Sequence, residues 1–160
     1  MNVVRTAIIS AVMLMASAVA PVLAIEAGDF PAPGFHVTAT PHGFGALVKR
    51  LEAAIKDNGM FAVTRASATK GAASLGITIP GNMVIGVYHP KFAVRMLEAS
   101  IPAGIEAPLR FYITENADGT ATLSYRAPSA TFAPYGSAAL DVMAGELDVI
   151  FAAIAAAAVK

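Results

Sequence analysis

The sequence predicts an α+β domain, in which helices pack on one face of a mostly antiparallel, curved β-sheet. Two stretches, residues 35–40 and 109–126, alternate apolar and polar side chains with the period of a strand. Two others, residues 44–55 and 140–154, repeat apolar side chains every three or four positions, as a helix on a sheet does. The predicted order is strand, helix, four strands, helix, with short helical insertions between the middle strands.

Residues 1–24 have the pattern of a secretory signal peptide. Arg5 is their only charged side chain, and the stretch 6–20 has no ionisable group. In Val22-Leu23-Ala24, the first and third residues are the small side chains expected at positions −3 and −1 of a cleavage site. An uncleaved anchor is the competing interpretation, because residues 7–24 nearly reach the roughly 20 apolar residues of a membrane-spanning helix. Cleavage after Ala24 is favoured and predicts an exported protein, periplasmic or secreted.

Composition limits what the remaining chain can do. Residues 25–34 contain two prolines and two glycines and are predicted to form a leader or linker before a single domain, residues 35–160. The chain of 160 residues has no cysteine, which excludes disulfides, thiolate metal sites and cysteine nucleophiles. It has 11 basic and 11 acidic side chains, so the basic surplus of a nucleic-acid-binding protein is missing.

The first predicted strand and helix follow directly on one another. Phe35, Val37 and Ala39 alternate with His36, Thr38 and Thr40, as in a half-buried strand. Thr40-Pro41 then predicts an N-cap with proline at the first helical position. Helical spacing continues through Phe44, Leu47, Leu51 and Ile55, and Asn58-Gly59 predicts the end of the helix.

The middle of the chain is predicted to contain short elements. Residues 60–65 and the apolar run 83–88 have the length and composition of strands. Between them, residues 67–75 predict a short helix, and Pro80-Gly81 predicts a turn. His89-Pro90 predicts the start of a helix that extends to about Ser100.

Residues 109–126 predict a β-hairpin whose register follows from its loop. Asn116 to Thr120 suits a three-residue loop with Gly119 in the left-handed conformation. This loop pairs Ile113 with Leu123 and Phe111 with Tyr125, so the apolar faces of the two strands coincide.

The last element is predicted to be a long helix that begins near Ser137. Its apolar stripe consists of Leu140, Met143, Leu147, Ile150 and Ile154. The periodicity indicates a helix packed on the core, and no membrane span is expected once the signal peptide has been removed.

Several short motifs resemble the domain-of-unknown-function family 302 (DUF302). They are Ala107-Pro108-Leu109-Arg110, Thr114-Glu115-Asn116, Asp118-Gly119, Ser124-Tyr125-Arg126-Ala127-Pro128 and His89-Pro90-Lys91. The resemblance implies the β-α-β(4)-α order of TATA-binding-protein-like folds and a homodimer. The chain departs from the family pattern at Ser67, where many relatives have histidine, and at Tyr88-His89-Pro90, where they often have Gly-Asn-Pro.

The hairpin register also places Arg110 directly opposite Arg126, beside Tyr112 and Ser124. Like charges facing each other across two strands destabilise a sheet unless an opposite charge intervenes. Three interpretations remain open: solvation of both side chains or pairing with Glu98, Glu106 or Glu115; an anion-binding site; or a carboxylate from a second subunit. The site interpretation predicts a ligand-binding group of Arg110, Arg126, Tyr112 and Ser124.

A second candidate site contains His89 and Met96. In exported proteins, histidine and methionine can hold copper or a haem iron. The structural alternative is a histidine at a helix start and a methionine that fills the core. No two of the three histidines have the close spacing of a helical metal site.

No signature of an enzyme is found in the sequence. Residues 71–76 have one residue too many for a nucleophile elbow, and no P-loop or dinucleotide motif occurs. The sequence therefore predicts an exported homodimeric binding domain for a small anionic or apolar ligand, held between sheet and helix or at the subunit interface. The alternatives are a metal- or haem-handling protein that uses His89, and a purely structural dimer.

Overall fold

The computed structural model describes residues 24–160, which contain one five-stranded antiparallel sheet with the strand order β1-β5-β4-β3-β2. The strands are β1 (Phe35–Gly43), β2 (Phe61–Ala66), β3 (Asn82–Tyr88), β4 (Leu109–Glu115) and β5 (Thr120–Arg126). The helices are α1 (Phe44–Asp57), α2 (Ala68–Ser74), α3 (Pro90–Ala99), α4 (Pro128–Phe132) and α5 (Ala138–Val159). Helices cover one face of the sheet, so the predicted α+β class is confirmed.

The hydrophobic core lies between the sheet and the helices α1 and α5. Each of these elements contributes fully buried side chains, among them Leu51 of α1, Phe111 of β4 and Phe151 of α5. The Phe111 and Phe151 rings stack with their centroids 4.8 Å apart. Burial of such large apolar side chains is the main stabilising contribution to a domain of this size.

The predicted hairpin is present with its predicted register. Ile113 pairs with Leu123 and Phe111 with Tyr125. The loop is closed by the Asn116 amide, which donates to the Thr120 carbonyl oxygen at 2.8 Å, and Gly119 has a φ of 81°. Only glycine adopts this left-handed conformation without a steric cost, which is why the sequence signal was specific.

The first helix begins three residues later than predicted, at Phe44, because β1 continues to Gly43. Thr40 does not cap the helix: its hydroxyl donates to the Ala121 carbonyl oxygen at 2.7 Å and so joins β1 to β5. Pro41 lies in an irregularity of this edge strand, where the missing amide hydrogen costs no ladder hydrogen bond.

The two faces of β1 are the reverse of the expectation that its apolar side chains would face the core. His36 and Thr38 pair with Tyr125 and Leu123, so the polar side chains of β1 share the helix-covered face of the sheet. The His36 ring stacks on Tyr125 with a centroid distance of 4.9 Å. The apolar side chains of β1, Phe35, Val37 and Ala39, therefore lie on the opposite face, which α1 and α5 do not cover and which we call the open face. The other strands contribute Val84, Tyr112, Ser124 and the two arginines at positions 110 and 126 to this face.

The other predicted helices begin as expected, and the structure adds short helical turns at residues 27–29, 101–106 and 128–135. The His89 side chain caps α3 by accepting a hydrogen bond from the Lys91 amide at 3.1 Å, and Ser137 caps α5. Residues 128–135 form α4 and a 3-10 turn that the sequence analysis did not predict. The Ser129 amide of α4 donates to the Asp148 carboxylate at 2.9 Å, which attaches α4 to α5.

By length and composition, α5 is apolar enough to cross a membrane. One side of it is nevertheless part of the core, since Leu140, Leu147, Phe151 and Ile154 are all at most 3% exposed. This packing is the one that the sequence periodicity predicted for a core helix. The signal peptide predicted for residues 1–24 lies, apart from Ala24, outside the described residues.

Candidate functional site

The structure brings the four predicted ligand-binding residues together in one cleft of about 360 Å³. The cleft lies at the end of the sheet where β5 ends and β1 and β4 begin. Most of its strand residues belong to the open face, while Leu109, Tyr125 and Thr131 of α4 line it from the helix-covered side. Its lining consists of Phe30, Phe35, Val84, Glu106, Leu109, Arg110, Tyr112, Ser124, Tyr125, Arg126 and Thr131. This volume is at the lower end of the range of small-molecule sites, roughly 300–1,000 Å³.

Strand pairing fixes the positions of the polar residues in the cleft. Tyr112 pairs with Ser124. Two residues further along each strand, on the same face of the sheet, the same register sets Arg110 opposite Arg126. Ser124 is 1% exposed, and its hydroxyl donates a long hydrogen bond of 3.4 Å to the Tyr112 carbonyl oxygen. Rigid strands therefore hold the two guanidinium groups on the same side of the sheet, as predicted.

A glycine makes room beside Arg110. Gly86 of β3 pairs with Arg110 of β4, and a Cβ atom at Gly86 would meet the Thr64 hydroxyl and come within 2.7 Å of Pro108 Cγ. The prolyl ring, which follows a cis peptide bond after Ala107, thus packs directly over the glycine. A larger residue at position 86 would displace the start of β4, on which Arg110 lies.

Neither arginine is neutralised within residues 24–160. The salt bridges there join Arg65 to Glu52 and Arg95 to Glu146. Arg126 donates from Nε to the Pro33 carbonyl oxygen at 3.4 Å, and its guanidinium carbon lies 6.0 Å from the Phe35 ring centroid.

The glutamates considered as partners of the arginines have other contacts or none. Glu115 accepts from the Gly81 amide at 2.6 Å, and Glu106 accepts from the Tyr135 hydroxyl at 2.8 Å. Glu98 is exposed on α3. Two cationic side chains without a counter-ion from the described residues are suited to bind a carboxylate or a phosphate.

The cleft has an aromatic wall that the local sequence pattern does not indicate. Phe30 and Phe35 stack with their centroids 4.0 Å apart and their planes 9° from parallel. Phe30 belongs to the segment predicted to be a linker, and Phe35 was expected to belong to the apolar side of a half-buried strand. Identification of this wall requires the pairing of β1 with β5, which the local pattern did not specify.

Among the lining residues that were not predicted, Glu106 is the charged one; the sequence had suggested it only as a partner of the arginines. It ends the 3-10 turn Ile101–Glu106 and is half-buried. Its hydrogen bond from Tyr135 raises the pKa of the tyrosine hydroxyl above the usual value, because loss of that proton would put two negative charges side by side. The pKa of Tyr125, which also lines the cleft, is raised by burial and secondarily by Asp148.

His89 and Met96 line a separate apolar pocket of about 30 Å³, together with Met60 and Met143. His89 lies between two aromatic rings, stacked on Phe61 at 5.5 Å and edge-on to Phe92 at 6.1 Å. The predicted role of His89 at a helix start is therefore seen directly, and its Nε2 atom is not used in the cap. In residues 24–160, no three histidine, aspartate or glutamate side chains are grouped as metal ligands.

Comparison with known proteins gives a family and a fold. The chain is similar to a crystal structure of an uncharacterised conserved DUF302 protein from Bacillus stearothermophilus, with a TM-score of 0.72 and 19% sequence identity over 81% of this chain and 100% of that one. No curated protein matches. The model of the family "Domain of unknown function DUF302" matches residues 35–158. The resemblance inferred from the short motifs is thus confirmed, and the chain belongs to the DUF302 family.

Proposed function

We propose that this protein is an exported binding domain that holds a small anionic ligand in the cleft at the end of the sheet. The observation that carries the proposal is the placement of Arg110 and Arg126 on one side of the sheet, without a counter-ion from the described residues, in a cleft that also has an aromatic wall. Tyr112 adds a hydroxyl group that can hydrogen-bond an anion, whereas the Ser124 hydroxyl donates to the Tyr112 carbonyl oxygen. The ligand chemistry that fits is a carboxylate or phosphate attached to a flat apolar group.

Binding of benzoate and phenyl phosphate to the purified protein tests this proposal by isothermal titration calorimetry. Arg110→Gln and Arg126→Gln are each expected to weaken binding about tenfold or more, because each removes a charge-assisted hydrogen bond. Lys49→Gln is the matched control, since it removes one exposed positive charge on α1, outside the cleft lining. Equal weakening by all three variants would show a non-specific charge effect and contradict the proposal.

We propose further that the domain is a homodimer. The outer side of α3 and the 3-10 turn after it expose four aliphatic side chains: Val94 (56%), Leu97 (46%), Ile101 (78%) and Ile105 (82%). Exposed apolar groups of this kind are typical of an interaction surface, and the occupant we propose is a second copy of the chain.

Light scattering on the wild type and on Ile101→Asp tests the dimer. The variant is expected to be monomeric, whereas Val149→Asp, on the exposed side of α5, is expected to leave the dimer intact. If Arg110→Ala and Arg126→Ala alter dimerisation without altering ligand retention, the protein is a purely structural dimer. The two arginines would then pair with a carboxylate of the second subunit. A monomeric wild type would contradict both versions.

The proposal of export is supported by the pattern of residues 1–24. Cleavage after Ala24 predicts that the mature protein begins at Ile25. Mass spectrometry of the protein recovered from its own host reports this directly. A full-length protein that remains with the membrane fraction would support the anchor alternative instead.

Copper binding at His89 is a second candidate function, favoured by the convergence of one histidine and three methionines on one small pocket. Thioether and imidazole ligands suit Cu(I). A pocket of about 30 Å³ has room for a single ion and none for a haem, so it fits copper and not haem. Competition of the protein with a chromogenic Cu(I) chelator tests the site, and binding unchanged in Met96→Leu would contradict it.

A further inference from the structure

Glu106 contributes a negative charge to a cleft that otherwise has cationic side chains. Its Oε1 atom accepts the Tyr135 hydroxyl at 2.8 Å, while Oε2 accepts no hydrogen bond from residues 24–160. A half-buried carboxylate loses part of its hydration and is stabilised by a hydrogen-bond donor or a cation. The Tyr135 contact holds the side chain in place and leaves one oxygen for another donor.

The described part of the chain supplies no cation to this carboxylate. Its two salt bridges use other glutamates, and neither Arg110 nor Arg126 is ion-paired with Glu106, although all three line the same cleft. The cleft therefore has separate sites of opposite charge. A ligand that was an anion alone would be attracted by the arginines and repelled by Glu106.

From this arrangement we infer that the natural ligand is a zwitterion with an apolar group, such as an aromatic amino acid or a close derivative. Its carboxylate contacts Arg110 and Arg126, its amine donates to Glu106, and its ring packs against Phe30 and Phe35. This inference rests on the proposed function and specifies the ligand class of the same cleft.

Three probes of nearly equal size separate these contributions: L-phenylalanine, 3-phenylpropionate and phenethylamine. The first has both charges, the second has only the carboxylate and the third has only the amine. In calorimetric titrations of the full mature protein, we expect L-phenylalanine to bind at least about tenfold more tightly than either of the other two probes. A hydrogen bond to a charged group contributes on this scale.

The variant Glu106→Gln is the decisive one, because glutamine can still accept the Tyr135 hydroxyl while it removes the negative charge. We expect it to weaken L-phenylalanine binding about tenfold and to strengthen 3-phenylpropionate binding, since the repulsion is gone. Glu98→Gln, an exposed glutamate of α3, is the matched control and should change neither affinity. Near-ultraviolet circular dichroism identifies any variant that has lost its fold. In that case Tyr135→Phe, which keeps the Glu106 carboxylate, tests the preference for L-phenylalanine over 3-phenylpropionate.

The possible failures are distinguishable. A wild-type protein that binds 3-phenylpropionate at least as well as L-phenylalanine would overturn the zwitterion inference and leave the anion site standing. Equal weakening of both ligands by Glu106→Gln would do the same. Absence of binding by both carboxylate probes would overturn the proposed function and this inference with it.

Discussion

At the scale of the residue, the two arginines of the cleft are a local conflict in an otherwise consistent sheet. Arg126 has compensating contacts, with the Pro33 carbonyl oxygen and the Phe35 ring, whereas Arg110 is exposed and no hydrogen bond of its side chain is found in residues 24–160. Residues that violate a local rule of stability are concentrated at functional sites. The conflict therefore has a measurable consequence for the ligand-free domain.

We predict that Arg110→Gln stabilises the ligand-free protein by about 0.2–1 kcal/mol, the scale of a cross-strand charge pair. Arg126→Gln removes the same repulsion but also the contacts with Pro33 and Phe35, so it is expected to give a smaller gain or a loss. Urea unfolding at low salt measures both free energies of unfolding. A clear loss of stability in Arg110→Gln would show that Arg110 has a stabilising partner.

At the scale of the element, predictability followed the range of the interactions. The hairpin of β4 and β5 could be predicted in register because the loop with Gly119 and the apolar pattern both lie within the segment 109–126. Which side of β1 faces the helices could not be predicted, because this depends on the pairing with β5, which is about 85 residues away in the sequence. The alternation at residues 35–40 specifies a strand, and only the long-range pairing specifies its orientation.

The candidate site divides in the same way. Arg110, Tyr112, Ser124 and Arg126 belong to one hairpin, so their proximity followed from the sequence. Phe35 and Glu106 come from β1 and from the turn after α3, and tertiary packing alone brings them to the cleft. The polar half of the site was thus predictable, and the aromatic wall and the carboxylate were not.

The helix α5 is the element on which the core depends most. We predict that Phe151→Ala destabilises the domain by about 3–5 kcal/mol, because it leaves a cavity between α5 and the rings of Phe111 and Tyr125. Val149→Ala on the same helix, at a position 71% exposed, is expected to change stability by less than about 0.5 kcal/mol. Guanidinium unfolding followed by circular dichroism measures both, and similar values for the two variants would contradict this account of the core.

At the scale of the whole molecule, polar contacts at the surface join the helices that cover one face of the sheet. Arg50 of α1 donates to the Ala158 carbonyl oxygen of α5 at 2.8 Å, and Arg95 of α3 forms two hydrogen bonds of 2.7 Å with Glu146 of α5. The latter pair lowers the pKa of the Glu146 carboxyl, chiefly through these hydrogen bonds. Acid should therefore loosen the attachment of α3 to α5.

We predict that stability falls with acidification below about pH 4.5, the ordinary pKa of a glutamate carboxyl. The folded state lowers the pKa of Glu146, and that of Asp118 through hydrogen bonds from Thr120, so the unfolded chain binds more protons in this range. The contribution of these two carboxylates to stability is fully present above their pKa in the unfolded chain. It is lost as the pH falls through their lower pKa in the folded state. Both groups are exposed, so 1 M salt should reduce the effect.

Urea unfolding at a series of pH values between about 3 and 7 measures this dependence, and Glu146→Gln isolates the contribution of the contact between α3 and α5. The variant is expected to be less stable than the wild type at neutral pH and to approach it in acid, because the wild type loses the ion pair there. Asp57→Asn, an exposed carboxylate at the end of α1, is the control and should leave the acid limb unchanged. Parallel curves for the wild type and Glu146→Gln would show that the bridge from Arg95 makes no pH-dependent contribution to the stability of the helical layer.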